Sequence, residues 1–205
     1  MLLTALYPFL DKTATGMIIL QALNSCMLIL IIYTLAIRRT AYYMALIIVI
    51  PALILGWANI ILDIPLLEIV SGISLIAVYA LTVLILFRDL FSEGEITEDT
   101  VYGAICTYLL FGHMWGTAYY TISNLDPGAF LFNLTAYPGG ALQQFDLLYF
   151  SFITLTTTGY GDIVPTLGIV KMLALFETVI GTIFIAVFMA RLVGHLAISA
   201  GKKEK

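Results

Sequence analysis

Apolar runs close to the length of a bilayer crossing, and nearly free of charge, decide what this chain can fold into. Residues 14–37, 41–62 and 64–87 are three of them. A bilayer's hydrocarbon core needs roughly 20 consecutive apolar residues in a helix to cross it. The composition agrees, since 61% of the 205 residues are hydrophobic and only 11% charged. That balance is far from a soluble domain. The class expected is an all-α, multi-pass membrane protein. A net charge of −4 without any basic block argues against nucleic acid as a partner. Cys26 and Cys106 fall inside apolar runs and read as small buried side chains rather than a disulfide. The amino terminus lacks a basic leader and a small-residue cleavage site, so no signal peptide is expected.

Taken in order, residues 1–13 read as a leader or interfacial helix, interrupted by Pro8 and too short to span. Whether they complete a sixth span stays open. Residues 14–90 hold three spans. Pro51 lies inside the second and is expected to kink it or be tolerated by neighbouring packing. Asp63 is placed to cap the third helix, with Pro65 in its first turn. Residues 91–99 form an acidic linker, with Glu93, Glu95, Glu98 and Asp99 but no calcium-loop spacing; Thr97 or a neighbour is positioned to cap the next helix. The fourth span covers residues 100–122 and contains Gly112 and Gly116, a spacing that lets helix backbones approach in lipid. His113 between them reads as a hydrogen-bonded structural group. Residues 123–144 turn polar and rich in Pro and Gly, a loop outside the membrane that carries the sequon Asn133-Leu134-Thr135. Residues 146–155 are apolar but too short to span and suit a re-entrant helix. A long final helix covers residues 166–200, followed by a basic tail at 201–205.

Charge orients the spans. With the 156–162 segment facing outward, five spans put the amino terminus outside and the carboxyl terminus in the cytoplasm. Arg38, Arg39, Arg88, Arg191, Lys202, Lys203 and Lys205 then lie inside, seven of the nine basic residues, and only Lys12 and Lys171 lie outside. That distribution obeys the positive-inside rule. Lys171 reads as snorkelling to the outer surface.

Residues 156–162 read Thr-Thr-Thr-Gly-Tyr-Gly-Asp. Successive backbone carbonyls can ring a dehydrated cation if alternate residues take left-handed angles. Gly159 and Gly161 adopt such angles without a side-chain penalty. The segment resembles the selectivity filter of the prokaryotic tetrameric potassium channels. The run YFSFITLTTTGYGDIVP is similar to that family's pore helix, filter and exit, and IGTIFIAVFMARLVGHL to its inner helix. With the fourth span as outer helix, the likeness covers residues 100–200, about half the chain.

The resemblance implies a pore domain at 100–200 in which Thr157, Thr158, Gly159, Tyr160 and Gly161 present oxygens to K+ as permeant ion, with no cofactor. Tyr160 would brace the strand and offer its hydroxyl to the pore helix, and Asp162 would sit at the outer mouth. Gly181 stands at the inner-helix hinge, with close packing as the other reading. Thr182, Ile185, Met189 and Val193 would line the cavity and lower pore. Two positions depart from the family: Thr158 stands where many members have Val or Ile, so its hydroxyl needs a partner, and Ile153 stands where some place a glutamate to hold the mouth aspartate. One filter strand cannot enclose an ion, so a homotetramer in the lipid bilayer is implied.

Glu177 lies in the upper half of the last helix, where an ionisable group is costly and functional by default. It is expected to hydrogen-bond the pore helix, at Tyr149 or Thr154. No basic repeat marks a voltage sensor, and no regulatory domain is expected after the last helix. An unidentified regulatory partner stays open. The function expected is passive, potassium-selective conduction across the cell membrane, with no enzyme activity. A non-selective or non-conducting channel-like protein is the first alternative. An intramembrane aspartyl protease is the second, because Gly159-Tyr160-Gly161-Asp162 also satisfies G-x-G-D, although Pro51-Ala52-Leu53 precedes the aspartates instead of following them.

Overall fold

A computed structural model describes residues 14–35, 39–62, 64–91, 96–132 and 142–203, with side chains of 14, 34–41 and 196–203 left out of the description. Six helices and one small ribbon make up these residues. Helix α1 is Ala14–Leu35, α2 Arg39–Leu62, α3 Pro65–Leu90 and α4 Glu98–Leu125. Strand β1 (Phe130–Phe132) follows, then α5 (Gln144–Leu155), β2 (Ile163–Pro165) and α6 (Gly168–Lys203). The described residues are thus mostly helical, with one small ribbon that the sequence did not show. β1 and β2 pair antiparallel, with Phe130 opposite Pro165 and Phe132 opposite Ile163. Three-residue strands inside a Pro/Gly-rich loop are too short to carry a period-2 pattern, which is why the ribbon did not show.

Four described helices, α1, α2, α3 and α6, are long and apolar enough to cross a membrane. The fifth expected span, α4, has 28 residues, or about 42 Å at 1.5 Å per residue, but a more polar composition. Its polar side chains turn inward: Thr107, His113, Thr117 and Thr121 are all buried. The three threonine hydroxyls donate to the carbonyls of Gly103, His113 and Thr117 at 2.7–2.9 Å, and His113 Nδ1 bonds Leu109 O at 2.9 Å. The rings of Tyr79 and Phe152 meet His113 edge-on.

Local chemistry sets the helix ends. At α4 the Thr97 hydroxyl accepts from Thr100 N and the Thr100 hydroxyl accepts from Thr97 N, a reciprocal cap. Glu98 and Asp99 in the first turn oppose the helix dipole. Pro65 opens α3 as expected, but Ile64 holds the cap position without a side-chain bond; Asp63 lies outside the described residues. Helix α2 continues through Pro51.

In space, α3 packs along both α2 and α4, α4 along α5, and α5 against α6. One apolar cluster joins Leu28 and Ile31 of α1, Ala45, Val49 and Ala52 of α2, and Val78 of α3. A second, around Tyr119, Phe130, Leu147, Phe150, Ile163 and Val170, binds the ribbon to α4, α5 and α6. Cys26 and Cys106 are free and exposed on the chain surface, not buried. Lipid is as apolar as a protein core, so an apolar run does not say which of its residues face inward.

Leader residues 1–13, residues 92–95 of the acidic linker and the sequon at Asn133 also lie outside the described residues.

Candidate functional site: a backbone strand hung between two anchors

The strand from Thr156 to Asp162 starts where α5 ends, and the helix terminus shapes it. Thr156 is the C-cap. Thr157 N donates to Thr154 O at 2.9 Å, and Thr158 N donates to Ile153 O at 2.8 Å. These paired bonds form a Schellman motif, in which the residue after the cap takes a left-handed backbone. Glycine usually fills that slot; here it is Thr157, at φ +59°. A β-branched residue there is a conformational outlier and costs roughly 1–2 kcal/mol. Gly159 N also bonds Ile153 O, at 3.1 Å, which holds the strand's lower end against the helix.

Left-handed angles then recur at every second residue. Gly159 has φ +53° and Gly161 φ +79°, so Thr157, Gly159 and Gly161 alternate with ordinary backbone at 158, 160 and 162. The sequence pointed to the two glycines; that Thr157 joins them was hidden, because only the helix terminus forces it.

The hydroxyl of Thr158, which lacked a partner in the sequence, meets Thr156 Oγ1 at 3.0 Å, and Thr156 Oγ1 donates to Phe152 O at 2.7 Å. With the single Thr156 hydrogen directed to the carbonyl, Thr158 is the donor of the pair. Asp162 is held by α5, since Tyr149 OH donates to its Oδ2 at 2.9 Å. Tyrosine at 149 thus takes the task for which Ile153 has no polar group; Ile153 is buried. Above the strand, Thr166 N donates to Ala129 O at 2.9 Å, the Thr166 hydroxyl bonds Gly128 O, and the β1–β2 ribbon completes the upper anchor.

Tyr160 lies on the surface of the single chain. Its side chain is 73% exposed, and among the described residues it makes no hydrogen bond to α5 of its own chain.

Glu177 does reach α5, but through another residue. Ser151 Oγ donates to its Oε1 at 2.5 Å and Tyr119 OH to its Oε2 at 2.7 Å. Ser151 Oγ also faces Gly112 O at 2.9 Å. Neither Tyr149 nor Thr154 is the partner. At 100° per residue, Tyr149 lies about 200° around the helix from Ser151, on the side of Asp162. Thr154 instead offers its carbonyl to Thr178 Oγ1 at 3.4 Å. Glu177, Ser151 and Tyr119 are all fully buried, so α4, α5 and α6 meet at one polar knot inside an apolar core. Ser151 and Tyr119 were not singled out in the sequence. A serine inside an apolar ten-residue run was the available signal.

Glycines set how closely these helices approach. A Cβ on Gly116 would lie 2.9 Å from Leu148 Cα, and one on Gly112 would meet the Phe152 ring, so α5 lies directly on the glycine face of α4. A Cβ on Gly181 would lie 2.8 Å from Leu155 O. Helix α6 is unbroken there, and close packing on the end of α5 accounts for that glycine. Thr182, Ile185, Met189 and Val193 lie on a face of α6 left exposed by the single chain.

The start of α5 carries Asp146, whose Oδ2 accepts from Gln143 N at 2.8 Å. Burial pushes its carboxyl above the ordinary range, and the amide bond opposes that rise. At the opposite end of the bundle, Arg191 of α6 donates to Leu90 O at the close of α3, and its guanidinium lies 6.0 Å from the Phe91 ring centre. Phe87, Tyr108 and Phe111 surround Phe184 at 5.9–6.3 Å, and Tyr108 OH donates to Leu155 O at 3.2 Å.

Residues 107–197 match a protein family described as "Ion channel". That segment begins within α4 and takes in the ribbon, α5, the strand and most of α6. The chain is also similar to "Two-pore potassium channel 4" of Arabidopsis thaliana, at 39% identity over 51 residues. "Two pore potassium channel a" of Oryza sativa subsp. japonica matches at the same identity and length. Each match covers 25% of this chain but only 18% and 15% of the respective relative. The matched part is thus similar to an ion-channel family, the chain spans less than a fifth of the length of these two curated relatives, and four described helices are long and apolar enough to cross a membrane.

Proposed function

We propose that four copies of this chain assemble around one axis and conduct K+ passively through the strand Thr157–Gly161. The observation that carries the reading is the left-handed alternation at Thr157, Gly159 and Gly161. Such alternation turns successive carbonyls toward one side of an extended backbone, the arrangement that can replace a cation's hydration shell when repeated around an axis. The ion-channel match of residues 107–197 and the two plant potassium-channel relatives support the same ion and the same transport class. In this reading Asp162 raises cation concentration at the mouth, and the carboxyl end of α5 adds its dipole beneath the strand. Thr182, Ile185, Met189 and Val193 face the axis. The outward Tyr160 ring then packs against a neighbouring copy instead of its own pore helix.

Five crossings fit this assembly, with α4 as the fifth. Its threonines and histidine bond within the chain, so the surface it turns to lipid stays apolar. An external amino terminus and a cytoplasmic carboxyl terminus follow from the basic residues. The narrower likeness to prokaryotic channels rests on the filter and inner-helix motifs.

Reconstitution of the purified chain in vesicles tests the function. Potassium flux should exceed sodium flux, be blocked by barium, and disappear in Gly159→Ala, where alanine meets a φ of +53°. Equal sodium and potassium flux would refute selectivity. A monomeric mass in mild detergent would refute the fourfold assembly.

A further inference from the structure

A cavity of about 300 Å³ opens among α1, α2, α3, α4 and the start of α5, well apart from the strand. Its mouth lies at the end of the bundle that carries Asp162, because it is framed by Asn59 near the close of α2, Glu68 in the first turn of α3, and Gln143 at the start of α5. Its floor includes Asn24, Tyr79 and His113. Tyr79 lies eleven residues along α3 from Glu68, or about 16 Å, so the cavity reaches roughly half-way through a 30 Å hydrocarbon layer. A second cavity of about 270 Å³ shares Glu68 as part of its wall.

The lining has a definite chemistry. Glu68 is its one carboxylate, and it contains no lysine or arginine among the described residues. Tyr120 OH donates to Glu68 Oε1 at 2.5 Å, which fixes the carboxylate in the cavity wall. Deeper, Asn24 Oδ1 already accepts from Tyr79 OH at 3.2 Å. Carboxamides from three helices supply further acceptors, while Leu20, Leu75 and Leu148 supply apolar wall. A fixed carboxylate beside a tyrosine ring, with carbonyl oxygens and apolar surface below, is complementary to a cation bearing hydrogen-bond donors and a short apolar body. The volume is at the lower end of small-ligand sites.

We propose that this cavity binds a small monovalent organic cation, an ammonium group on an apolar body, from the side of the filter mouth. The ammonium pairs with Glu68, and the apolar body descends toward Leu75 and Tyr79. Leu148 and Gln144 belong to both the cavity wall and α5, so occupancy bears on the helix from which the strand hangs. The ligand site stands on this geometry and does not require the chain to conduct.

The test uses the full chain in nanodiscs of neutral lipid, with empty nanodiscs as the partition control, and measures binding by titration calorimetry. Phenethylamine is the probe, and 2-phenylethanol is its uncharged counterpart. Saturable amine binding, at least about tenfold tighter than the alcohol, is expected. Glu68→Gln retains an acceptor for Tyr120 and should weaken the amine by about ten- to a hundredfold, the range set by losing a charge-assisted bond. Asn59→Trp, at the mouth, should weaken both the amine and any residual alcohol binding. Equal affinity for amine and alcohol would overturn the cation site. So would amine binding unchanged in both variants, or no saturable binding to the native chain. These outcomes are independent of potassium flux, so they separate this site from the conduction reading.

Discussion

Replacing Glu177 by leucine should loosen the contact of α4, α5 and α6 more than any other single buried change. The side chain is fully buried and accepts hydroxyls from Ser151 at 2.5 Å and Tyr119 at 2.7 Å. Leucine fills similar volume but strands the Tyr119 hydroxyl, while Ser151 can turn its hydrogen to Gly112 O. In water-soluble cores each stranded donor costs about 1–3 kcal/mol. Between membrane helices the measured range is lower, about 0.6 kcal/mol on average and up to about 1.7, because unfolded chains in lipid also find partners. One stranded donor at the upper membrane value gives roughly 1.7 kcal/mol. Glutamine should behave differently. Ser151 has one hydrogen and faces two acceptors, Glu177 Oε1 and Gly112 O. A glutamine amide can donate to Ser151 Oγ, freeing that hydrogen for Gly112 O, and its oxygen can still accept from Tyr119. Glu177→Gln should therefore cost under about 1 kcal/mol. The assay is reversible denaturation of the purified chain in mixed micelles, run as a double-mutant cycle with Tyr119→Phe. Once Glu177 is leucine, losing the tyrosine hydroxyl should relieve a stranded donor, giving a coupling of about 1 kcal/mol or more. Additivity within about 0.3 kcal/mol would refute the network, as would a glutamine variant no more stable than the leucine one.

Other perturbations probe the anchors. Gly116→Leu should be destabilising by at least about 1–3 kcal/mol, because the first added carbon already lies 2.9 Å from Leu148 Cα. Gly103→Ala, with nothing within 4 Å of its added carbon, should be tolerated in the same denaturation assay. Tyr149→Phe removes the 2.9 Å bond to Asp162, and in vesicles its potassium flux should decay faster than wild type during sustained conduction. Thr158→Val deletes a hydroxyl whose only described partner is Thr156 and preserves branched shape; flux selectivity should survive it, and a loss would show that the hydroxyl acts on the ion. Arg191→Met removes the bond to Leu90 O, and limited proteolysis should then cut more readily after α3, at the linker to α4.

Helices were legible because lipid imposes a length on anything that crosses it, and helix ends because caps are local: Thr97 and Pro65 are read from neighbours within four residues. Sidedness within each helix was not. Cys26 and Cys106 sit in apolar stretches yet face outward, and no periodic signal separates core from lipid when both are hydrocarbon. The two glycines of the strand followed from backbone geometry alone. Thr157 did not, because its left-handed angle is dictated by which carbonyls α5 leaves open. Nor did Ser151, Tyr119 or β1, all of which take their roles from partners tens of residues away. Glu177 illustrates the middle case: its cost in a membrane announced that it had partners, and only the helix phases revealed which.

The upper and lower anchors of the strand belong to one frame. Its foot hangs from α5, which lies on the glycine face of α4, and its head is tied by the ribbon to the segment leaving α4's other end. A strand so mounted is strung like a wire between two posts driven into one block. Its span is set by the block and not by the strand. Residue types along it can change while the distance holds, but adding or removing one residue between Thr157 and Asp162 must slacken the wire or tear a post. Variation in this segment is therefore confined to substitution, and a single-residue deletion should abolish it where most single exchanges would not.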